Sequence, residues 1–187
     1  MMTKTEFLPY KTFQAKNNLT INIRPIQPDD TMYLIDIFEH MSSESRYSRF
    51  NQVIDHVTET RKWDVAQTIA TADPNTNFGL LAFADLPSEP DPPIGAARYV
   101  KLNETVAEFA ISLRDDYQNL GIGSFLLSEL TQYAVEHGIK TLVAGIQNNN
   151  QPIWFIINKL PYQVIRRIDG NESNIEIDLT QPQIAAA

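Results

Sequence analysis

The residues in this chain best suited to chemistry are the run Gln118-Asn119-Leu120-Gly121-Ile122-Gly123 and one upstream carboxylate, Glu108. Glycine lets backbone N–H groups approach a ligand with no Cβ in the way. Here two glycines stand at the start of an amphipathic segment, in which Phe125, Leu126, Leu130, Tyr133 and Ala134 recur at helical spacing. The first amides of a helix have no internal partners, and the helix dipole adds partial positive charge there, so such a place binds phosphate. Glu108 is the lone acid in the apolar run Ala107 to Leu113, which reads as a strand. The pair amounts to an anion cradle that follows a strand carrying a carboxylate.

Other chemistries fit less well. No Gly-Lys-Ser/Thr follows the loop, as a nucleotide-hydrolysing phosphate loop needs, and the third glycine of the dinucleotide pattern is missing. His40, His56 and His137 are scattered without metal-ligand spacing, so no metal is expected. No serine sits in a nucleophile context. With no cysteine there is no disulfide or thiolate chemistry, and a cytoplasmic location is the simplest expectation. A net charge of -8 argues against a nucleic-acid partner. No run approaches the ~20 apolar residues of a membrane span, and the first residues lack the pattern of a secretory signal.

The elements that must position these residues follow from periodicity. Residues 1–18 carry no clear period and read as an arm, ordered only if something packs on it. Leu19, Ile21 and Ile23 alternate with polar residues in a strand ended by Pro25 and Pro28, and Asp29 or Asp30 can cap the helix that follows. That helix carries an apolar stripe from Met32 to Met41. Ser42 to Phe50 reads as a second helix. Its arginines either tie it to neighbouring acids, or Arg46, Tyr47 and Arg49 line a substrate cleft. A third helix spans Glu59 to Ala72, with Trp63, Ala66, Ile69 and Ala70 on one face.

Phe78 to Ala84 and Ile94 to Leu102 read as strands joined by the proline-rich connection Leu86 to Pro93. Asn103-Glu104 then turns into the strand with Glu108. After the central helix, closed by Gly138, come a buried strand from Thr141 to Ile146, a break at Gln147 to Pro152, and a short helix from Ile153 to Leu160. Tyr162 to Ile168 and Ile175 to Leu179 form a final antiparallel pair around Asp169-Gly170-Asn171. Residues 19–180 make one domain and 181–187 a tail. The last pair leaves an edge that needs cover, from the N-terminal arm or a second copy of the chain, so a homodimer is expected.

These blocks carry a resemblance. Gln118-x-x-Gly121-x-Gly123, preceded by Glu108-Phe109-Ala110 and Arg114-Asp115-Asp116-Tyr117, resembles the acetyl-coenzyme A loop of the GNAT acyltransferase superfamily. Arg24 to Asp30 resembles the start of that fold, and Ser43 to Phe50 is similar to a segment of the bacterial protein-lysine acetyltransferase branch. Asn150-Gln151-Pro152-Ile153 with Lys159 to Tyr162 is similar to the family's late Asn…Leu-Gly-Phe block. Four blocks in order, across roughly residues 19–180, are far more specific than the glycine loop alone.

The resemblance implies an α+β fold of GNAT type, with a mixed, mostly antiparallel central sheet and helices on both faces. It implies an N-acetyltransferase that uses acetyl-coenzyme A and a primary amine, either a protein lysine or a small amine. The amides of Gln118, Asn119, Leu120, Gly121, Ile122, Gly123 and Ser124 would hold the pyrophosphate. The backbone of Ile111, Ser112 and Leu113, on a strand that splays from its neighbour, would meet the pantetheine arm, and Asn150 would contact the same arm. Glu108 matches the family's general base. It is also open to a structural reading, as a strand carboxylate paired to Arg98 or Lys101. As the base, between helix-covered faces, it is expected to be partly desolvated, with its pKa raised toward a useful range.

Three departures bear on this. Asn119 and Leu120 stand where a glycine and a basic residue are common. Pro161 replaces a glycine. Ile156 occupies the place of a tyrosine that protonates the leaving thiolate, which implies slower or acid-independent release. A non-catalytic acyl-coenzyme A-binding module would keep the cradle without needing Glu108.

Overall fold

The computed structural model describes residues 10–50, 56–86 and 91–182. Its centre is a sheet of eight strands: β1 (Lys11–Gln14), β2 (Thr20–Pro25), β3 (Asn77–Ala84), β4 (Pro93–Lys101), β5 (Val106–Leu113), β6 (Thr141–Gln147), β7 (Tyr162–Asp169) and β8 (Glu172–Pro182). The spatial order is β1-β2-β3-β4-β5-β6-β8-β7. Every neighbouring pair is antiparallel except β5 and β6. The helices are α1 (Thr31–Glu39), α2 (Ser43–Phe50), α3 (Glu59–Ala70), α4 (Ile122–Glu136) and α5 (Gln151–Ile157). Among the described residues, no helix is long and apolar enough to cross a membrane.

Strand alternation divides the sheet into two faces. Leu80, Ala97, Tyr99, Ala107, Phe109, Leu142 and Ile177 point one way and pack with Leu126, Leu127, Leu130 and Ala134 of α4, forming the main core. Leu81, Phe83 and Ala96 point the other way, onto Leu34 and Ile37 of α1 in a smaller core. At roughly 1.5–3 kcal/mol for each large side chain buried, the α4 face dominates the stability of the fold. The expected mixed, mostly antiparallel sheet with helices on both faces is present.

Several local expectations are corrected. Residues 11–14, expected as irregular arm, form β1 on the free edge of β2. Asp30 stands at the N-cap of α1 but does not cap it. Its buried carboxylate instead takes both ends of the Arg24 guanidinium, at 2.6 and 2.7 Å, and the Gln27 amide at 2.6 Å. Trp63 lies outside the buried stripe of α3 and is 43% exposed, whereas Ala66 and Ala70 are buried. Helix α5 starts earlier than expected, because Asn150 accepts from Ile153 N at 3.3 Å and Pro152 sits in the first turn. There its fixed φ favours a helix rather than breaking one. Strand β8 runs on to Pro182, and the rest of the expected tail lies outside the described residues, as does part of the proline-rich connection. The edge left by the final pair is β7. Strand β1 covers the opposite edge of the sheet.

Candidate active site

Strands β5 and β6 pair in parallel at only three positions, Val106 with Thr141, Ala107 with Leu142 and Glu108 with Val143. Beyond Glu108 they part. Strand β5 continues to Leu113 held only by β4, and β6 continues to Gln147 held only by β8. Among the described residues the β6-facing backbone from Phe109 to Leu113 thus has no partner strand, and an extended chain can add to it as to any open sheet edge. Glu108 stands at the apex of this split. Ile111, Ser112 and Leu113, the expected pantetheine contacts, lie along its open arm.

The glycine-bearing loop closes the wide end. A short 3-10 turn, Asp115–Tyr117, leads to Gln118, which is extended. Asn119 takes φ 63°, a left-handed conformation that asparagine tolerates better than most residues. Asparagine therefore replaces glycine here without forcing a different backbone. Gly121 takes φ 89° as the N-cap of α4. From Asn119 to Ser124 no backbone amide donates to a carbonyl among the described residues, and Phe125 is the first to close, on Gly121 O at 3.1 Å. Ile122 and Gly123 are buried. A Cβ at Gly123 would lie 2.9 Å from Ile156 Cδ1 and 3.8 Å from Ile111 Cδ1. Residues 111, 123 and 156 therefore meet inside the split, and Ile156 puts a hydrocarbon there rather than a phenol.

Two anchors fix the loop. On one side Gln118 Nε2 donates to Ser45 Oγ at 3.3 Å and to Asp115 Oδ1 at 3.0 Å. The Ser42 amide donates to Asp115 Oδ2 at 3.1 Å. Burial alone would push the Asp115 carboxyl up, but hydrogen bonds from Ser42 and Ser45 and the charge of Arg46 outweigh it and leave it below the ordinary range. On the other side the Lys16 amide donates to Leu120 O at 3.2 Å, and Phe13 stacks on Phe125 with ring centroids 4.6 Å apart. Sequence reasoning missed this second anchor, since one apolar residue in Lys11 to Gln14 gives no readable period.

The arginines of α2 divide in role. Arg46 donates to Phe38 O and Glu39 O at the end of α1, so its hydrogen bonds tie α2 to carbonyls, while its charge also acts on Asp115. Tyr47 is exposed. Arg49 Nε donates to Ser112 Oγ at 3.2 Å, on the face of β5 that also carries Glu108. Burial, together with the nearby charge of Arg98 and against that of Glu108, lowers its pKa to about 10. Arg98 is likewise lowered by burial, with Glu108 opposing. Its Nε is buried with no hydrogen-bond partner.

Glu108 itself is exposed, which corrects the expected partial desolvation. It sits on the face of β5 that α2 reaches through the Arg49–Ser112 hydrogen bond. Among the described residues it forms no ion pair within 4 Å with Arg98 or Lys101. Lys101, which pairs with Ala107, points to the other face. Asn150 uses its side-chain oxygen to cap α5.

Comparison with known proteins agrees with this geometry. Residues 20–163 match a family model described as an acetyltransferase (GNAT) domain. Over 156 residues the chain is 29% identical to the acetyltransferase Pat of Mycolicibacterium smegmatis, covering 79% of this chain and 42% of Pat. It therefore spans about two-fifths of that relative. The fold is similar to the GNAT domain of S. lividans PAT, with TM-score 0.75 at 23% identity, over 90% of this chain and 96% of that one. It is also similar to the paia N-acetyltransferase of Thermoplasma acidophilum, solved in complex with coenzyme A. There the TM-score is 0.63 at 19% identity, over 84% and 98% of the two chains.

Proposed function

The chain belongs to the GNAT acetyltransferase family, and from that premise we propose that it transfers acetyl from acetyl-coenzyme A to a primary amine, with Glu108 as general base. The observation that carries this reading is the parting of β5 from β6 immediately beyond Glu108, next to a loop whose amides from Asn119 to Ser124 have no hydrogen-bond partner among the described residues. Ile122 and Gly123 in this run are buried, and buried backbone N–H groups are seldom left unpaired, so this helix start suits an anion. The open edge of β5 from Phe109 to Leu113 suits an extended, amide-bearing arm. Both features fit a coenzyme A thioester. Gln118 to Ser124 would hold its pyrophosphate and Ile111 to Leu113 its arm. Asn150 would reach the arm through the part of its amide not used in capping α5.

When bound, acetyl-coenzyme A supplies the acetyl group as a thioester, which the amine cleaves as its nitrogen bonds to the carbonyl carbon and the thiol departs. The residues of the chain supply position and proton transfer. An amine attacks only when neutral, and a lysine amine has a pKa near ~10.4. Glu108, exposed at the apex, would take that proton directly or through water, a contribution of typically ~10²–10⁴-fold. Holding amine and thioester together adds up to ~7–11 kcal/mol. Ile156 offers no proton, so the thiolate, with a pKa near ~8.5, would leave unassisted and be protonated by solvent.

The test is incubation with acetyl-coenzyme A and a panel of lysine peptides and small amines, scored by thiol release, alongside calorimetric titration of coenzyme A. Thiol release that depends on the amine is expected. Gly123→Glu should abolish binding, because it places a side chain and a negative charge at the cradle. Unchanged coenzyme A affinity in a folded Gly123→Glu protein would end the reading. Tight binding without turnover on any amine would leave a binding module in its place.

A further inference from the structure

A cleft of about 740 Å³ opens between α3 and the β4 face that carries Arg98 and Val100. Val100 lies directly across from Glu108 in the β4–β5 register, and Arg98 is the next residue on that face, opposite Ala110. Facing pairs and their diagonal neighbours on a sheet lie within side-chain reach. The sheet wall of the cleft therefore borders the carboxylate at the apex of the split, one strand away.

Its charged lining is Arg61 and Asp64 from α3 and Arg98 from the sheet. Among the described residues none of the three is in an ion pair within 4 Å, and the buried Nε of Arg98 has no partner. Arg49 lies close enough to Arg98 for the two charges to repel. Burying a guanidinium near a like charge, with a donor left unsatisfied, costs stability. Such an arrangement makes sense where a ligand completes it.

We propose that this cleft receives a carboxylate carried by the acceptor, held by Arg98 and Arg61, while the acceptor's amine lies toward Glu108. This rests on the reading of Glu108 as base. A guanidinium presents a planar fork of donors that matches a carboxylate. A single negative charge suits the cleft better than a phosphate dianion, because Asp64 and Glu108 stand close by. The carboxylate can belong to an acidic side chain beside a protein lysine or to a free amino acid.

The test is calorimetric titration of the coenzyme A-saturated protein with two matched pairs of probes. One pair is a capped lysine peptide with glutamate on both sides of the lysine and its glutamine counterpart. The other is 4-aminobutyrate and 4-aminobutanamide. The acid member of at least one pair should bind about 10–100-fold tighter, as expected for charge-assisted hydrogen bonds, and the responding pair identifies the source. In Arg98→Met that preference should vanish while the melting temperature holds or rises, since a partly buried charge with an unsatisfied Nε is gone. Arg61→Met, on an exposed helix face that is safe for folding, should lose part of the preference. Equal affinity for acid and amide in the wild type, no binding of any probe, or the same preference in both variants would overturn the proposal. Thiol release on the same samples separates the two readings. Turnover without acid preference removes the carboxylate site alone, and acid-selective binding without turnover removes the transfer reading alone.

Discussion

At the scale of the residue, the proposed chemistry turns on Glu108. A base taking a proton from a lysine need not be buried. An exposed carboxylate at the apex of the split can relay protons to solvent, and position rather than a hydrophobic pocket is then its qualification. Glu108→Gln keeps shape and hydrogen bonding while removing the base, so turnover near neutral pH should fall roughly 10²–10⁴-fold with coenzyme A affinity unchanged. The defect should shrink as pH rises toward the amine's own pKa of ~10.4, where more of the acceptor is already neutral. The charge of Glu108 favours the protonated forms of Arg49 and Arg98, so a small drop in melting temperature is also expected. A pH–rate profile and a melting curve on one preparation check both. Full activity at neutral pH would sink the assignment. A large loss of stability with turnover per folded molecule intact would make Glu108 a partner of the two arginines instead.

At the scale of the element, the glycine loop is held between α2 and β1, and β1 is the part that sequence reading did not find. Phe13 is its lever. Its ring stacks on Phe125 and lies 3.4 Å from where a Cβ on Gly121 would stand, while Lys16 N bonds Leu120 O. Phe13→Ala should cost about 1.5–3 kcal/mol, less than a fully buried phenylalanine because the side chain is only half-buried. It should also weaken coenzyme A binding several-fold by loosening the first turn of α4. Denaturant unfolding and calorimetry measure the two effects. Lost stability with coenzyme A affinity unchanged within twofold would show that β1 supports the sheet but not the loop. The contrast between β1 and the rest explains what the sequence could reveal. The alternation of Leu19, Ile21 and Ile23, the apolar run of β3 and the stripe of α4 are local patterns, and each became the expected element. The loop was legible because glycine at Gly121 answers a backbone need, φ 89°. Strand β1 exists because β2 offers it an open edge, and the exposure of Glu108 depends on what packs over that face of β5. Both facts lie in tertiary arrangement. The polar residues Arg61, Asp64 and Thr68 of α3 went unread in the sequence, because only the cleft they line gives them meaning.

At the scale of the whole molecule, the charge balance sets how an anionic cofactor is met. The chain carries a net charge of -8, and coenzyme A is itself strongly anionic, so long-range fields oppose the encounter. Basic side chains at the loop could offset this, but most of those nearby are committed. Arg114 pairs with Asp36 and Asp116, and Lys11 pairs with Glu129 at 2.6 Å. Lys16, exposed beside Leu120, forms no ion pair among the described residues and is free to face a phosphate. Leu120 leaves the loop itself neutral. On the proposed reading, attraction to the cradle would therefore come mostly from backbone amides at short range, which salt screens little, whereas the repulsion acts over distances that salt does screen. Raising salt from about 20 to about 200 mM, which shortens the Debye length from roughly 20 Å to below 10 Å, should leave coenzyme A affinity level or improve it, chiefly through faster association. Stopped-flow association rates and calorimetry across that range provide the measurement. A tenfold or greater loss of affinity would mean that basic side chains, not amides, hold the phosphates. Lys16→Gln, which should cost only a few-fold at low salt under the amide reading, would then be expected to abolish much of the binding.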